Sequence, residues 1–218
     1  DGVTLKQINE AVVYEIINRY IGENNDTFSK LVDLVGGEYD EKNLAELILS
    51  VYEFSRQLSY PDKWYDLILQ SYDNGKFTRD NVWYEYAFEN AEAVVSSMRD
   101  ILISLIDSLV AVPLAADKFL PPLEAFAESV DDLLNAAKTR DWDVFYTTLS
   151  DFEVGSLPAA RGGLSGYREV KAVKFAFDEF KDKTIPSLLK FFYTDFKSIN
   201  EQFIKIYPCI KLFVDILK

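Results

Sequence analysis

Apolar side chains recur every three or four residues along almost the whole chain, and no period-two alternation lasts more than a few positions. That pattern predicts helices throughout and no sheet. Leu5, Ile8, Val12, Ile16 and Tyr20 mark one face of a first helix, with Gly22 as its stop. A short helix over about 27–35 turns Phe28, Leu31, Val32 and Val35 inward and stops at Gly36–Gly37. Asp40 is placed to cap the next helix, whose face is Leu44, Leu47, Ile48, Val51, Tyr52 and Leu58. Pro61 starts a further helix, where its missing N–H costs little, with Trp64, Leu67, Ile68 and Tyr72 inward. Asp73-Asn74-Gly75 breaks it.

The longest periodic run is 80–112, with Trp83, Ala87, Asn90, Val94, Met98, Ile101, Leu105 and Leu109 on one face. Such a helix would be roughly 50 Å long at 1.5 Å per residue. Pro113 closes it. A partner helix is predicted from Pro121–Pro122 to Ala137, and Asp141 caps a short helix through Ser150. Residues 151–165 form the one long irregular stretch, with Gly155, Pro158, Arg161, Gly162 and Gly163. Helix resumes near Gly166 and runs to Lys183, where Thr184-Ile185-Pro186 interrupts it. Leu188, Phe192, Phe196, Ile199 and Phe203 mark another face, and Pro208 kinks or ends it before Ile210–Leu217. The expectation is an all-α, elongated multi-helix bundle of about eight to ten helices. Residues 1–218 are read as a single helical domain. Its parts are an acidic helical region (1–150), a Gly/Pro loop (151–165) and C-terminal helices (166–218).

Composition narrows the function. The 218 residues include no histidine and one cysteine, Cys209. Ser-His and Cys-His pairs, HExxH zinc sites and internal disulfides are therefore excluded. No phosphate loop of the GxxxxGK[ST] type occurs, since Gly75–Lys76 lacks the first glycine and the hydroxyl residue. Adjacent carboxylates such as Asp131–Asp132 diverge by about 100° on a helix. Asp33, Glu38 and Asp40 lack the order of a calcium loop, so no metal site is assigned. These absences favour a scaffold or binding module over a self-contained enzyme with an unfamiliar carboxylate site. No stretch has the apolar length of a membrane span, and Asp1-Gly2-Val3 lacks a leader pattern. The expected location is the cytoplasm, with no membrane partner.

Charge is unevenly spread. The chain carries 23 basic and 36 acidic residues, net −13. Residues 1–164 account for −16, and residues 165–218 for +3. The acidic part reads as a solvated helical exterior, the alternative being a face that docks a basic protein partner. Arg161 in the glycine-rich loop, with Arg168, Lys171 and Lys174 at the following helix start, are the candidate contacts to phosphate. Trp64, Trp83 and Trp142 are read as core anchors rather than base-stacking platforms.

Several stretches, in order, resemble a known family. They are Leu5-Lys6-Gln7, then Phe28-Ser29-Lys30-Leu31-Val32-Asp33-Leu34-Val35-Gly36-Gly37, then Leu47-Ile48-Leu49-Ser50-Val51-Tyr52-Glu53-Phe54-Ser55-Arg56. Pro61-Asp62-Lys63-Trp64 follows, and then Trp142-Asp143-Val144-Phe145-Tyr146 leading into Gly155-Ser156-Leu157-Pro158-Ala159-Ala160-Arg161. Together they look like the helical 1B insertion in the helicase component of bacterial AddAB-type (RexAB-type) helicase–nucleases, members of the UvrD-like superfamily 1. The resemblance implies a parent protein that uses ATP and magnesium to translocate on DNA. It further implies a nuclease domain in that parent, a second helicase–nuclease subunit, duplex DNA as partner, and double-strand-break repair in a bacterial cytoplasm. The segment itself contains none of the motor or nuclease motifs and is expected to be inactive alone, with no cofactor of its own. It would border the DNA path and guide duplex toward the motor. Gly162–Gly163 stand where the resemblance leads one to expect basic residues, which weakens phosphate attraction there. The competing reading is a helical protein–protein interaction module that uses an acidic face.

Overall fold

The computed structural model describes residues 2–36, 41–159 and 166–218, with side chains from residue 5 onward in the first stretch. In order, its helices are α1 Gly2–Gly22, α2 Asp26–Gly36, α3 Glu41–Ser55, α4 Pro61–Ser71 and α5 Val82–Val110. They continue with α6 Pro113–Lys138, α7 Trp142–Ser150, α8 Tyr167–Glu179, α9 Ile185–Phe191 and α10 Phe196–Leu217. A 3-10 turn spans Asp73–Gly75, and a π-helical stretch, Phe180–Thr184, joins α8 to α9. Among the described residues there is no strand, so the all-α expectation is borne out. No helix is long and apolar enough to cross a membrane among these residues. The chain divides into two compact units, Asp1–Val82 with Ile199–Lys218, and Trp83–Ser198.

In the first unit α1 and α2 both pack on α3. Its core is Val13, Ile17, Phe28, Leu31, Val32, Leu44, Ala45, Ile48 and Tyr65, completed by Cys209, Val214 and Leu217 of α10. The inward face of α1 differs from the expected one. Leu5 and Ile8 are 61% and 53% exposed, whereas Val13 and Ile17 are buried. Apolar residues occur on nearly every side of α1, so spacing alone does not select a face. Helix α1 ends at Gly22 as expected, but the left-handed residue that closes it is Asn24 rather than the glycine. Asn24 takes φ +50°, its N–H donates to the Ile21 carbonyl, and the Asn25 N–H donates to that of Tyr20. These two bonds make a Schellman end with asparagine in the left-handed position. The Asn25 side chain then accepts from the Phe28 N–H at 3.0 Å to start α2. Asp40, the expected cap of α3, lies outside the described residues.

Pro61 occupies the first turn of α4 as expected, but Tyr65 is the buried ring there and Leu67 is exposed. The Tyr65 hydroxyl meets the fully buried Ser55 hydroxyl at 2.6 Å, and Ser55 Oγ donates to the Tyr52 carbonyl. Trp64 is only half-buried. The turn after α4 is held against α10. The Phe77 N–H donates to Asn200 Oδ1 at 2.9 Å, and the rings of Phe77 and Phe203 lie 4.7 Å apart. Helix α10 runs through Pro208 to Leu217 rather than ending there, because buried Cys209, Val214 and Leu217 hold it to the core.

In the second unit α5 and α6 are antiparallel. Arg99 pairs with Asp131, and Arg140 reaches back to Glu85 and, at 3.2 Å, to Glu92. Those carboxylates, Glu85 first through its hydrogen bond, push the Arg140 guanidinium above its ordinary value. The buried stripe of α5 is Tyr84, Ala87, Phe88, Ala91, Val95, Met98, Leu102 and Leu109; Ala87, Met98 and Leu109 are as expected, and the rest lie about one residue round from the expected face. Trp83 is 44% exposed and Ile101 is exposed, so Trp83 is not a core anchor. Trp142 is one. Its ring lies 4.5 Å from Phe192, and its indole N–H donates to the Thr194 carbonyl at 2.8 Å.

Two proline expectations are also corrected here. Helix α6 begins at Pro113 and carries Pro121 and Pro122 inside it. The lost helix bonds are outweighed by burial of Phe119, Leu123 and Phe126 on the same helix. Thr184-Ile185-Pro186 does not interrupt the helix. A π turn, closed by the Ile185 N–H on the Phe180 carbonyl, admits the extra residue and leaves Pro186 in the first turn of α9. The break comes at Phe192, where ψ is +64°, so the expected face from Leu188 to Phe203 belongs to two helices. Asp195 opens α10, accepting from the N–H of Ser198 at 2.9 Å and its hydroxyl at 2.8 Å.

Candidate nucleic-acid interface

Three of the four expected phosphate contacts lie on α8, and Arg161 lies outside the described residues. Gly166 forms the junction into α8. Gly166 has φ +84°, and a Cβ there would come within 2.5 Å of Val112 Cγ1, so only glycine fits the junction without a shift. Val170, Val173, Ala176 and Phe177 then turn inward. Phe177 packs at a tilt on Phe126 of α6 with ring centroids 4.7 Å apart, and Phe152 of the irregular segment packs on the same Phe126 ring at 5.7 Å. In the same segment the Ala159 carbonyl accepts from the Lys118 ammonium at 2.8 Å.

With one face of α8 committed to the core, the other is presented to solvent. Arg168 and Lys171 are exposed and Lys174 is half-buried. None of the three makes an ion pair among the described residues, although the chain is rich in acids. Two rings share this surface, Tyr167 at 55% and Phe175 at 67% exposure. At 3.6 residues per turn, Tyr167, Arg168, Lys171, Lys174 and Phe175 fall within an arc of about 120°. Exposed Asp178 lies at the C-terminal end of the same face. The face therefore carries three cations, Arg168, Lys171 and Lys174, between two aromatic rings, Tyr167 and Phe175.

Lys174 also borders a small cleft of about 290 Å³, with Val154, Gly155, Ser156 and Leu157 on one wall and Phe177, Asp178 and Lys181 on the other. Charge and periodicity single out neither Lys181 nor the two rings, Tyr167 and Phe175. The seven-residue step from Lys174 to Lys181 and the eight-residue step from Tyr167 to Phe175 are the available signals. Neither shows from sequence alone whether a side chain is covered. Among the described residues no group of His, Cys, Asp or Glu side chains is placed to hold a metal ion, and no buried side-chain polar atom lacks a partner.

Fold and site together define an all-α chain whose distinctive chemistry is a basic, ring-bearing helix face beside a polar cleft. No protein-family model matches the chain. Similarity to curated proteins is extensive. Over 193 residues the chain is 24% identical to the A subunit of the ATP-dependent helicase/nuclease of Ruminiclostridium cellulolyticum, covering 87% of this chain and 15% of that protein. Over 215 residues it is 24% identical to the protein of the same name from Clostridium kluyveri, covering 97% of this chain and 17% of the relative. A third such protein, from Geobacillus thermodenitrificans, is 26% identical over 190 residues. The chain thus spans about one-sixth of the length of these relatives.

Proposed function

We propose that the chain is the helical 1B insertion of a helicase/nuclease of this kind, and that it acts as an accessory domain guiding duplex DNA toward a motor encoded elsewhere in the same protein. The observation that carries this reading is the similarity just described: most of this chain aligns with a small part of proteins named as ATP-dependent helicase/nucleases. On this reading ATP and magnesium belong to the rest of the parent protein. A second subunit completes the complex, which serves double-strand-break repair in the bacterial cytoplasm. Arg161, Arg168, Lys171 and Lys174 attract phosphate rather than base edges, so their effect is independent of sequence. With a net charge of −13 the isolated chain binds DNA weakly and with strong salt dependence. Inside the parent, the motor holds DNA nearby and raises the effective concentration of these contacts.

The test is a quadruple alanine replacement of Arg161, Arg168, Lys171 and Lys174 in the full-length helicase–nuclease complex. Duplex-end binding weakens and its salt slope flattens, while single-strand-stimulated ATPase stays near wild type. The isolated 218-residue chain shows neither DNA-stimulated ATPase nor exonuclease activity. Unchanged binding and salt slope at low ionic strength would leave these residues as solvated surface and favour the competing reading, an acidic protein-interaction module. Turnover that copurifies with the isolated chain would overturn the accessory-domain reading itself.

A further inference from the structure

We infer that the outer face of α8 takes unpaired nucleotides, stacking bases on Tyr167 and Phe175 while Arg168, Lys171 and Lys174 hold the adjoining phosphates. The inference rests on the DNA-contact reading above and sharpens it from duplex backbone to single strand. A lone exposed ring is common on protein surfaces. Here two rings, each more than half exposed, share one arc with three cations unpaired among the described residues. Neither ring makes a ring–ring contact within that set.

The chemistry selects the occupant. Phosphates alone would be served by the cations, and rings would add only exposed apolar area. A base in the interior of a duplex has both faces covered by its neighbours and offers nothing to an external ring. An unpaired base has a free π-face of any sequence, and stacking on an aromatic side chain is the usual way to hold it. Arg168 adds a planar cation that can itself lie against a base. Tyr167 and Phe175 are eight residues apart, about 12 Å along the helix. That is more than three times the roughly 3.4 Å rise of a stacked strand, so the two rings serve two separate bases. Exposed Asp178 stands at the C-terminal end of the face, next to Lys174 and Lys181.

The experiment uses the 218-residue chain at low salt and fluorescence anisotropy with three probes: a labelled oligothymidine, an abasic oligonucleotide of equal length, and a blunt duplex. Oligothymidine binds more tightly than the abasic strand. Phe175→Ala and Tyr167→Ala each weaken oligothymidine binding by roughly five- to a hundredfold. Both leave the abasic strand and the duplex unaffected. Phe175→Leu, which keeps apolar bulk without a π-face, behaves like the alanine variant. The triple change of Arg168, Lys171 and Lys174 to Gln weakens all three probes and flattens the salt slope. Circular dichroism confirms that each variant keeps its helix. If ring variants bind oligothymidine like the wild type, or the abasic strand binds equally well, while the triple variant loses affinity, the face holds phosphate only. The stacking inference then falls and the DNA reading stands. If the triple variant also binds like the wild type, or no probe binds, both fall.

Discussion

Replacing Gly166 by Ala tests whether the junction before α8 is as tightly specified as its geometry indicates. The backbone is left-handed at φ +84°. An L-residue there costs about 1–2 kcal/mol. The new methyl would also sit 2.5 Å from Val112 Cγ1, 3.1 Å from Val112 Cβ and 3.3 Å from Ala115 Cβ. Relief requires Val112 or the start of α8 to move, and overpacking of this kind adds about 1–3 kcal/mol. The expected loss is about 3 kcal/mol in total, or roughly a 10 °C fall in melting temperature for a chain of this size. Val112→Ala removes the closest atom and costs about 1 kcal/mol by itself. In the double variant the contact with Cγ1 is gone, so the combined loss falls short of the sum by about 1–2 kcal/mol. Urea unfolding followed by tryptophan fluorescence measures all three, since Trp83 and Trp142 both report on the second unit. A loss below about 1 kcal/mol for Gly166→Ala, or strict additivity with Val112→Ala, would refute the claim that this close approach sets the start of α8.

Two further outcomes concern titration and chemistry. Hydrogen bonds from the Ser198 N–H and hydroxyl hold the Asp195 carboxyl below its ordinary value. A lowered folded-state value means that its stabilising contribution is complete above the unfolded carboxyl value and fades as pH falls through the folded one. Asp195→Asn therefore makes the acid limb of the stability–pH profile shallower, and an unaltered limb in acid titrations would show that the cap does not couple to folding. Cys209 is buried, its thiol rests 3.8 Å from the Thr27 carbonyl, and burial pushes it above the ordinary thiol value. A disulfide reagent at about pH 8 accordingly modifies it only at the rate of unfolding, and rapid labelling of the native chain would contradict that packing.

Local signals were legible from the residues alone wherever a helix needs a specific group at its end. Pro61 sits in the first turn of α4, and Asp141 accepts from the Val144 N–H at 3.2 Å, because these preferences depend only on neighbours in the chain. The presence of helices was legible for the same reason. Their buried faces were less so. Val12 and Val13, or Trp83 and Tyr84, differ by one residue and about 100°, and the choice between them belongs to whatever packs alongside. The candidate site divides in the same way. Arg168, Lys171 and Lys174 could be named from charge, but the exposure of Tyr167 and Phe175 depends on which side of α8 meets Phe126 of α6. Pro121, Pro122 and Pro208 stay inside helices because packing far along the chain outweighs a local bond. Most nonlocal of all is the first unit's core, which Cys209, Val214 and Leu217 complete against residues near the other end of the chain. Helical periodicity marks that each segment has an apolar side, and only the folded chain determines which distant segment covers it.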